Sequence, residues 1–351
     1  MTVNDDSQPN GLVDIDEIVS RIRRFVNEPR KQHELIRRGA AWHQPCSALD
    51  VIGDAEWALD SHARRGQGAT STGLLYLAHY GFLQAAYLQQ DAVFAVQRHL
   101  GIPADRRARD PALVLVRNLR NQAVGHPTGG KYGAVHFIVR VTMCPDSFEL
   151  MSIADDGSLE QQTVDCCELR QVQNRGIAGL LREVVRELEE EKRMHLARFH
   201  GQSLTPDLDK LSYPLGKVFE TAHAMQRGSI APGHDLGSMG LDNIEAAVTQ
   251  LRAKLNERGY EPGVLPGADV AVDAISHAVM RLRGLFASDA GELPGRDAEA
   301  FATYLDVHLK ELKEFAREFD DEYASIAKRP VRTAATRVPT RKGKQQSRRR
   351  S

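Results

Sequence analysis

Apolar residues recur at helical spacing along most of this chain. Ile15, Ile18, Val19, Ile22 and Val26 follow an acidic first turn and mark one helix, and Val51, Ala55, Ala58 and Leu59 mark a second over about 47–62. Gly66-Gln67-Gly68 then breaks the pattern. A long third helix is predicted over 72–100, with Leu74, Leu77, Phe82, Ala86, Val93, Val96 and Leu100 on or near one side and Gly101 and Pro103 after its end. Asp110-Pro111 supplies an N-cap and a proline at the first helical position for a fourth helix over 111–124, which Gly125 and Pro127 stop.

The period then changes to two. Val135, Phe137, Val139, Val141 and Met143 alternate as in a strand, and Phe148, Leu150 and Ser152 continue after a Pro145-Asp146 turn. Asp155-Asp156-Gly157 marks another turn, so a three-stranded antiparallel meander ending near Thr163-Val164 is expected, either a platform beside a site or a structural flap or subunit contact. Helical spacing resumes over 175–200 through Ile177, Leu180, Leu181, Val184, Val185 and Leu188. Gly201 and Pro206 mark a boundary. Further helices are predicted over 211–227, 241–258, 268–287 and 297–325, the last with apolar positions at 301, 305, 309, 312, 315 and 319 that read as a core or coiled-coil seam able to face a partner or second subunit.

The expected organisation is a disordered N-terminus over 1–13, a helical bundle over 14–130, the β-meander over 131–170, a long helix over 171–203 completing the first domain, a C-terminal helical region over 204–327 and a tail over 328–351. A length of 351 residues suits two domains, and a hydrophobic fraction of 42% is ordinary for a folded protein. No apolar run approaches the ~18 residues of a membrane span, and the polar, acidic N-terminus lacks a signal peptide's apolar stretch, so a cytoplasmic protein with no membrane partner is expected. Cys46, Cys144, Cys166 and Cys167 show no Cys-x-x-Cys spacing and read as reduced thiols, with no metal and no cofactor expected.

A net charge of −1 hides a division, because all 24 residues of the tail from Lys328 onward include ten basic residues and no acid, while the rest of the chain is acidic. Such a tail lacks the apolar residues needed to fold. It reads either as an arm that holds RNA through salt-sensitive phosphate contacts or as a solubilising segment that docks on the acidic body.

The chemistry concentrates at the end of the fourth helix, Arg117-Asn118-Leu119-Arg120-Asn121-Gln122-Ala123-Val124-Gly125-His126-Pro127. Arginine followed by histidine after four to six residues also occurs at Arg37 and Arg38 with His43, Arg193 with His200 and Arg227 with His234, so spacing alone selects nothing. Context separates Arg120 and His126: an apolar helix before them, Asn121 directly after the arginine, and a Gly-His-Pro exit that places His126 in a turn open to a ligand. Gly125 gives that exit either mobility or a left-handed residue. An imidazole with an ordinary pKa of ~6.5 exchanges protons near neutrality, and a guanidinium presents a charged fork to phosphate oxygens. His126 therefore reads as general base or acid, Arg120 as phosphate stabiliser and Asn121 as the group that orients either one.

Arg120-Asn121 with His126 resembles the Arg-polar-x-His signature of the HEPN superfamily, small all-helical domains found in many prokaryotic toxins and RNA-cleaving defence proteins. The segment 81–93, Gly-Phe-Leu-Gln-Ala-Ala-Tyr-Leu-Gln-Gln-Asp-Ala-Val, is similar to the polar-studded helix that such proteins place against the motif. The resemblance covers about 70–130 well, extends loosely to about 200, and leaves the C-terminal helices unexplained. It implies a mainly α, HEPN-like bundle, here with a small antiparallel β-meander insertion and a second C-terminal helical region. It further implies a two-fold homodimer whose motif helices face each other across a groove, with two arginines and two histidines around one RNA phosphate. Gln84 and Asp91, seven residues apart and so on nearly one helix face, are candidates to line that groove, and Asp91 could instead pair with an arginine.

Two function classes follow. One is a metal-independent endoribonuclease, a toxin or a defence or stress effector, with an antitoxin or regulatory protein as a further partner. The other is a noncatalytic helical adaptor that keeps the fold and uses the groove or last helix to bind protein or RNA. Nucleotidyl transfer finds no support, because the chain has neither a Gly-rich phosphate loop nor suitably spaced carboxylates.

Overall fold

A computed structural model of the protein describes residues 12–39, 42–64, 71–103, 110–125, 134–228, 234–288 and 292–325. The fold is mainly helical, with one small antiparallel sheet. Its first part runs α1 (Ile15–Val26), α2 (Pro29–Arg37), α3 (His43–Ala63), α4 (Thr72–His99) and α5 (Pro111–Arg120), and a π-helical segment, Asn121–Gly125, continues α5. The meander β1 (Val135–Ile138), β2 (Ser147–Ile153) and β3 (Leu159–Asp165) follows, in the order β1-β2-β3. Beyond it come α6 (Cys166–Arg198), α7 (Thr205–Asp209), α8 (Ser212–Gln226), α9 (His234–Glu257), α10 (Pro266–Phe286) and α11 (Glu292–Ala324).

Local chemistry sets the main boundaries. Asp110 caps α5 by accepting from the Ala112 amide, with Pro111 at the first helical position, where a missing N–H costs nothing. Asp165 ends β3 and caps α6 by accepting from the amides of Cys167 and Glu168. The helix consequently begins nine residues before the apolar spacing predicts, because its first turns bury polar Arg170, Gln173 and Asn174. The first strand is shorter than its alternation predicts: after Ile138 the chain turns through a 3₁₀ segment, Arg140–Thr142, and Val141 is 93% exposed. Polar α2 and short α7 carry too few apolar residues to announce themselves.

Two apolar clusters fill the first part, with a polar layer between them. Ile22, Leu49, Ile52, Val93, Leu113 and Leu181 belong to one, and Leu59, Phe82, Leu83, Val116, Leu119 and Phe148 to the other. Each such side chain contributes roughly 1.5–3 kcal/mol by leaving water. Between them Gln89 donates to Glu56, Gln173 donates to Gln89 and to the Ala86 carbonyl, and Gln90 donates to Gln173 and to the Leu113 carbonyl. Arg170 closes the layer by pairing with Glu56 and Asp60. These bonds set the register of α3, α4, α5 and α6, since sliding one helix would strand buried polar groups.

A third apolar core joins α7 to α11, and Leu196 and Phe199 at the end of α6 enter it. Leu305, Leu309, Leu312 and Phe319 of α11 are buried there, so that apolar seam is occupied within the chain.

On α4, Phe82, Ala86, Val93, Val96 and Leu100 are buried, whereas Leu74 and Leu77 are 51% and 69% exposed. The seven apolar positions placed on or near one side of the helix thus divide between core and solvent. The α3, α5 and α6 helices pack against α4, and its first turns present Leu74 and Leu77 to solvent.

Candidate functional site

The π-helical segment places the motif. In an α-helix, residues five apart project about 140° from each other, whereas π hydrogen bonding runs from i to i+5 and brings such residues together. Gly125 accordingly lies against Arg120, and a Cβ at Gly125 would meet Arg120 Nη1 at 2.7 Å. Gly125 does not adopt the left-handed conformation. The guanidinium thus occupies the space where a side chain at 125 would begin, so any larger residue there has to displace it.

Arg120 is held by neutral groups. Its Nε donates to Gln84 Oε1 at 3.0 Å, its Nη1 donates to Asn121 Oδ1 at 3.1 Å, and its guanidinium carbon stands 4.3 Å from the centre of the Tyr87 ring. Among the described residues it pairs with no carboxylate. Of the five N–H donors of a guanidinium, two are committed to described partners.

Arg117 shows the contrasting case one turn earlier. Its guanidinium stacks on Tyr87 at 4.2 Å, and its Nη1 donates to Asp91 Oδ1 at 2.8 Å. The Asp91 carboxylate thus pairs with Arg117, whereas no described carboxylate pairs with Arg120. The Tyr87 ring attracts both cations.

Of the sequence-predicted residues, Arg120, Asn121 and Gln84 come together directly, and Asp91 joins the same surface through Arg117. His126 lies outside the described residues. Tyr87 and Arg117 were missed by sequence reasoning, although their spacing carried a signal: each lies three residues from a selected one, Gln84 or Arg120, and so on the same helix face.

The exposed side of α4 extends the site. Leu77, Gln84 and Asp91 lie at seven-residue intervals, as do Leu74, Gly81 and Leu88 beside them. Leu88 is 44% exposed, and Leu115 on α5 is also exposed. An apolar stripe therefore borders the Arg120 cluster. Burial above all, with smaller contributions from Cys167 and nearby aspartates, pushes the Cys166 thiol up to about 12.

In the C-terminal helices the chemistry is dispersed. His223, His277 and His308 of the C-terminal helices contact Glu299, Phe301 and Glu311 respectively and form no common site. A cleft of about 480 Å³ between α2 and the ends of α6 and α9 is lined by Arg30, Arg37, Arg198 and Arg258 among others, but not by Gln84 or Arg120. No helix among the described residues is long and apolar enough to cross a membrane.

Comparison with known proteins returned no match. No family model, curated protein or solved structure is significantly similar to this chain.

Proposed function

We propose that the protein is a HEPN-like, metal-independent endoribonuclease that acts as a homodimer. The observation that carries this reading is that Arg120, fixed by Gln84, Asn121 and Tyr87, pairs with no carboxylate among the described residues. A structural arginine so close to a surface would gain more from a carboxylate, as Arg117 does from Asp91. An arginine oriented by neutral groups keeps its full charge for an anion, and RNA phosphate is the anion that a neighbouring histidine can act upon.

The chemistry needs three services at one phosphorus: removal of the 2′-hydroxyl proton, stabilisation of the phosphorane charge and protonation of the leaving 5′ oxygen. Arg120 supplies the second through a fork preorganised before substrate arrives. His126, next to the π-helical segment in sequence, supplies a proton acceptor or donor. Base and acid act on opposite sides of the phosphorus in an in-line displacement, so one copy of the motif is incomplete. A two-fold contact through the exposed leucines of α4 would place a second Arg120 and His126 opposite the first. The same apolar stripe would equally serve an adaptor, but an adaptor has no need of an arginine oriented by neutral groups beside it. The basic tail would concentrate RNA without choosing where it is cut.

Cleavage of a mixed RNA pool by the wild type, Arg120→Ala and Arg120→Lys tests this reading. Both variants should lose at least about a hundredfold in rate, the magnitude typical of removing one preorganised donor to a developing oxyanion. Equal cleavage by wild type and variants would refute the role of Arg120.

A further inference from the structure

A second constellation lies in the core, apart from the Arg120 cluster. His62 near the end of α3, His79 in α4 and Cys166 at the start of α6 are all buried, and their ligand atoms lie within 4.8 Å of one another. Cys166 Sγ is 3.6 Å from His79 Nδ1. A tetrahedral ion bound to sulfur at ~2.3 Å and to nitrogen at ~2.05 Å holds those two atoms about 3.5 Å apart.

The hydrogen bonding around His79 supports the same conclusion. Its Nε2 lies 2.9 Å from the Cys144 carbonyl oxygen, which can only accept, so Nε2 carries the ring proton. Nδ1 therefore presents its lone pair, on the side where Cys166 lies. Donation of the outer ring N–H to a backbone carbonyl is the arrangement that orients metal-bound imidazoles. Phe82 packs against His62 at 4.8 Å between ring centres, and Phe148 against His79 at 5.0 Å, so the surroundings are apolar. The donor set is two nitrogens and one sulfur with no carboxylate, which disfavours magnesium and calcium and suits a thiophilic d¹⁰ ion.

We propose that His62, His79 and Cys166 supply three ligands to a Zn²⁺ ion whose fourth position is taken by water. On binding, the Cys166 thiol releases its proton to solvent, and the thiolate and two neutral imidazoles each donate a lone pair; nothing is oxidised or reduced. The ion links α3, α4 and α6, and through the Cys144 carbonyl it reaches the segment that enters β2. It thereby fastens the meander to the bundle, one to two turns along α4 from Gln84. The site stands independently of RNA cleavage, because none of its ligands belongs to the Arg120 cluster.

The test uses full-length protein carrying Cys144→Ser and Cys167→Ser, which removes the two exposed thiols. After chelator stripping and a check of the fold by circular dichroism, Co²⁺ is titrated in and then displaced by Zn²⁺, with zinc content measured by elemental analysis. One equivalent should bind with a thiolate-to-cobalt charge-transfer band and tetrahedral d–d bands, and Zn²⁺ should abolish both. Adding Cys166→Ser should remove the charge-transfer band although Cys46 is retained, and His79→Gln should weaken binding at least tenfold. Absence of a thiolate band in the folded parent would overturn the proposal, as would zinc content unchanged in folded Cys166→Ser. Should Cys166→Ser not fold, the cobalt spectrum of the parent decides alone. An absent band together with retained fold and thermal midpoint identifies the Cys166–His79 contact as a neutral S–H to nitrogen hydrogen bond.

Discussion

Arg120 donates from Nε to Gln84 Oε1 at 3.0 Å, joining α5 to α4 across 36 positions of sequence. The bond orients the guanidinium without neutralising it. Gln84→Ala should lower RNA cleavage by a few-fold through lost orientation, whereas Gln84→Glu should lower it further, by at least roughly tenfold, because a carboxylate there competes with phosphate for the same charge. Single-turnover rates and RNA affinity measured together check this. Equal effects of the two substitutions would show that Gln84 only packs.

Gly125 offers a test that leaves every polar group of the site in place. Alanine there puts a methyl group 2.7 Å from Arg120 Nη1, and the flexible guanidinium is the part that gives way. Gly125→Ala should therefore reduce cleavage by about tenfold while changing stability by less than about 1 kcal/mol. A large loss of stability with normal activity per folded molecule would contradict the assignment of the glycine to the site.

Leu77 is the most exposed of the leucines on α4, at 69%. Replacing it with aspartate should leave the urea midpoint nearly unchanged, since surface substitutions usually stay within about 0.5 kcal/mol. Sedimentation should show the dimer giving way to monomer, with cleavage falling in parallel. A monomeric wild type with full activity would remove the two-subunit mechanism.

Arg170 is 3% exposed and bound to Glu56 and Asp60 within the polar layer of the first part. Arg170→Met leaves the Glu56 carboxylate buried without its cation and should cost about 3–5 kcal/mol in chemical denaturation. Arg170→Met combined with Glu56→Leu should recover part of that loss, because the pair then leaves no buried charge although Gln89 loses its acceptor. No recovery in the double variant would show that packing dominates the effect.

His195 couples the end of α6 to α11 through the Tyr323 hydroxyl at 2.9 Å. Burial, then the charges of Arg30, Arg198 and Arg258, lower its pKa to about 4. The unfolded chain takes up this proton near pH ~6.5, whereas the folded one resists until about 4. The contribution is therefore present above the unfolded value and lost as pH falls through that window. Urea midpoints between pH 7 and 4.5 should decline less steeply in His195→Gln than in wild type. Parallel declines would exclude His195 as a source of the acid sensitivity.

Periodicity made the helices and the meander readable, and motif context led to Arg120, Asn121 and Gln84, because seven-residue spacing and helix caps are local properties. What escaped is nonlocal. Glu56 and Arg170 look like solvated charges until two helices 114 positions apart bring them together. That Leu74 and Leu77 face solvent was not legible, because apolar spacing does not distinguish burial within a chain from a face left to solvent. The convergence of His62, His79 and Cys166 has no spacing signature, since the residues arrive from three helices. The π-helical segment also lacked a signal: Gly125 read as a loop or left-handed residue, whereas its role depends on Arg120 folding over it.

The most direct measurement is end-group mapping of RNA treated with wild-type protein and His126→Ala in chelator that removes exchangeable divalent ions, with circular dichroism confirming that both remain folded. A metal-independent attack by the 2′-hydroxyl leaves 2′,3′-cyclic phosphate and 5′-hydroxyl ends, and these should appear with wild type and be lost with His126→Ala. No cleavage by folded, dimeric wild type, or the same ends at the same rate from His126→Ala, would contradict the ribonuclease mechanism.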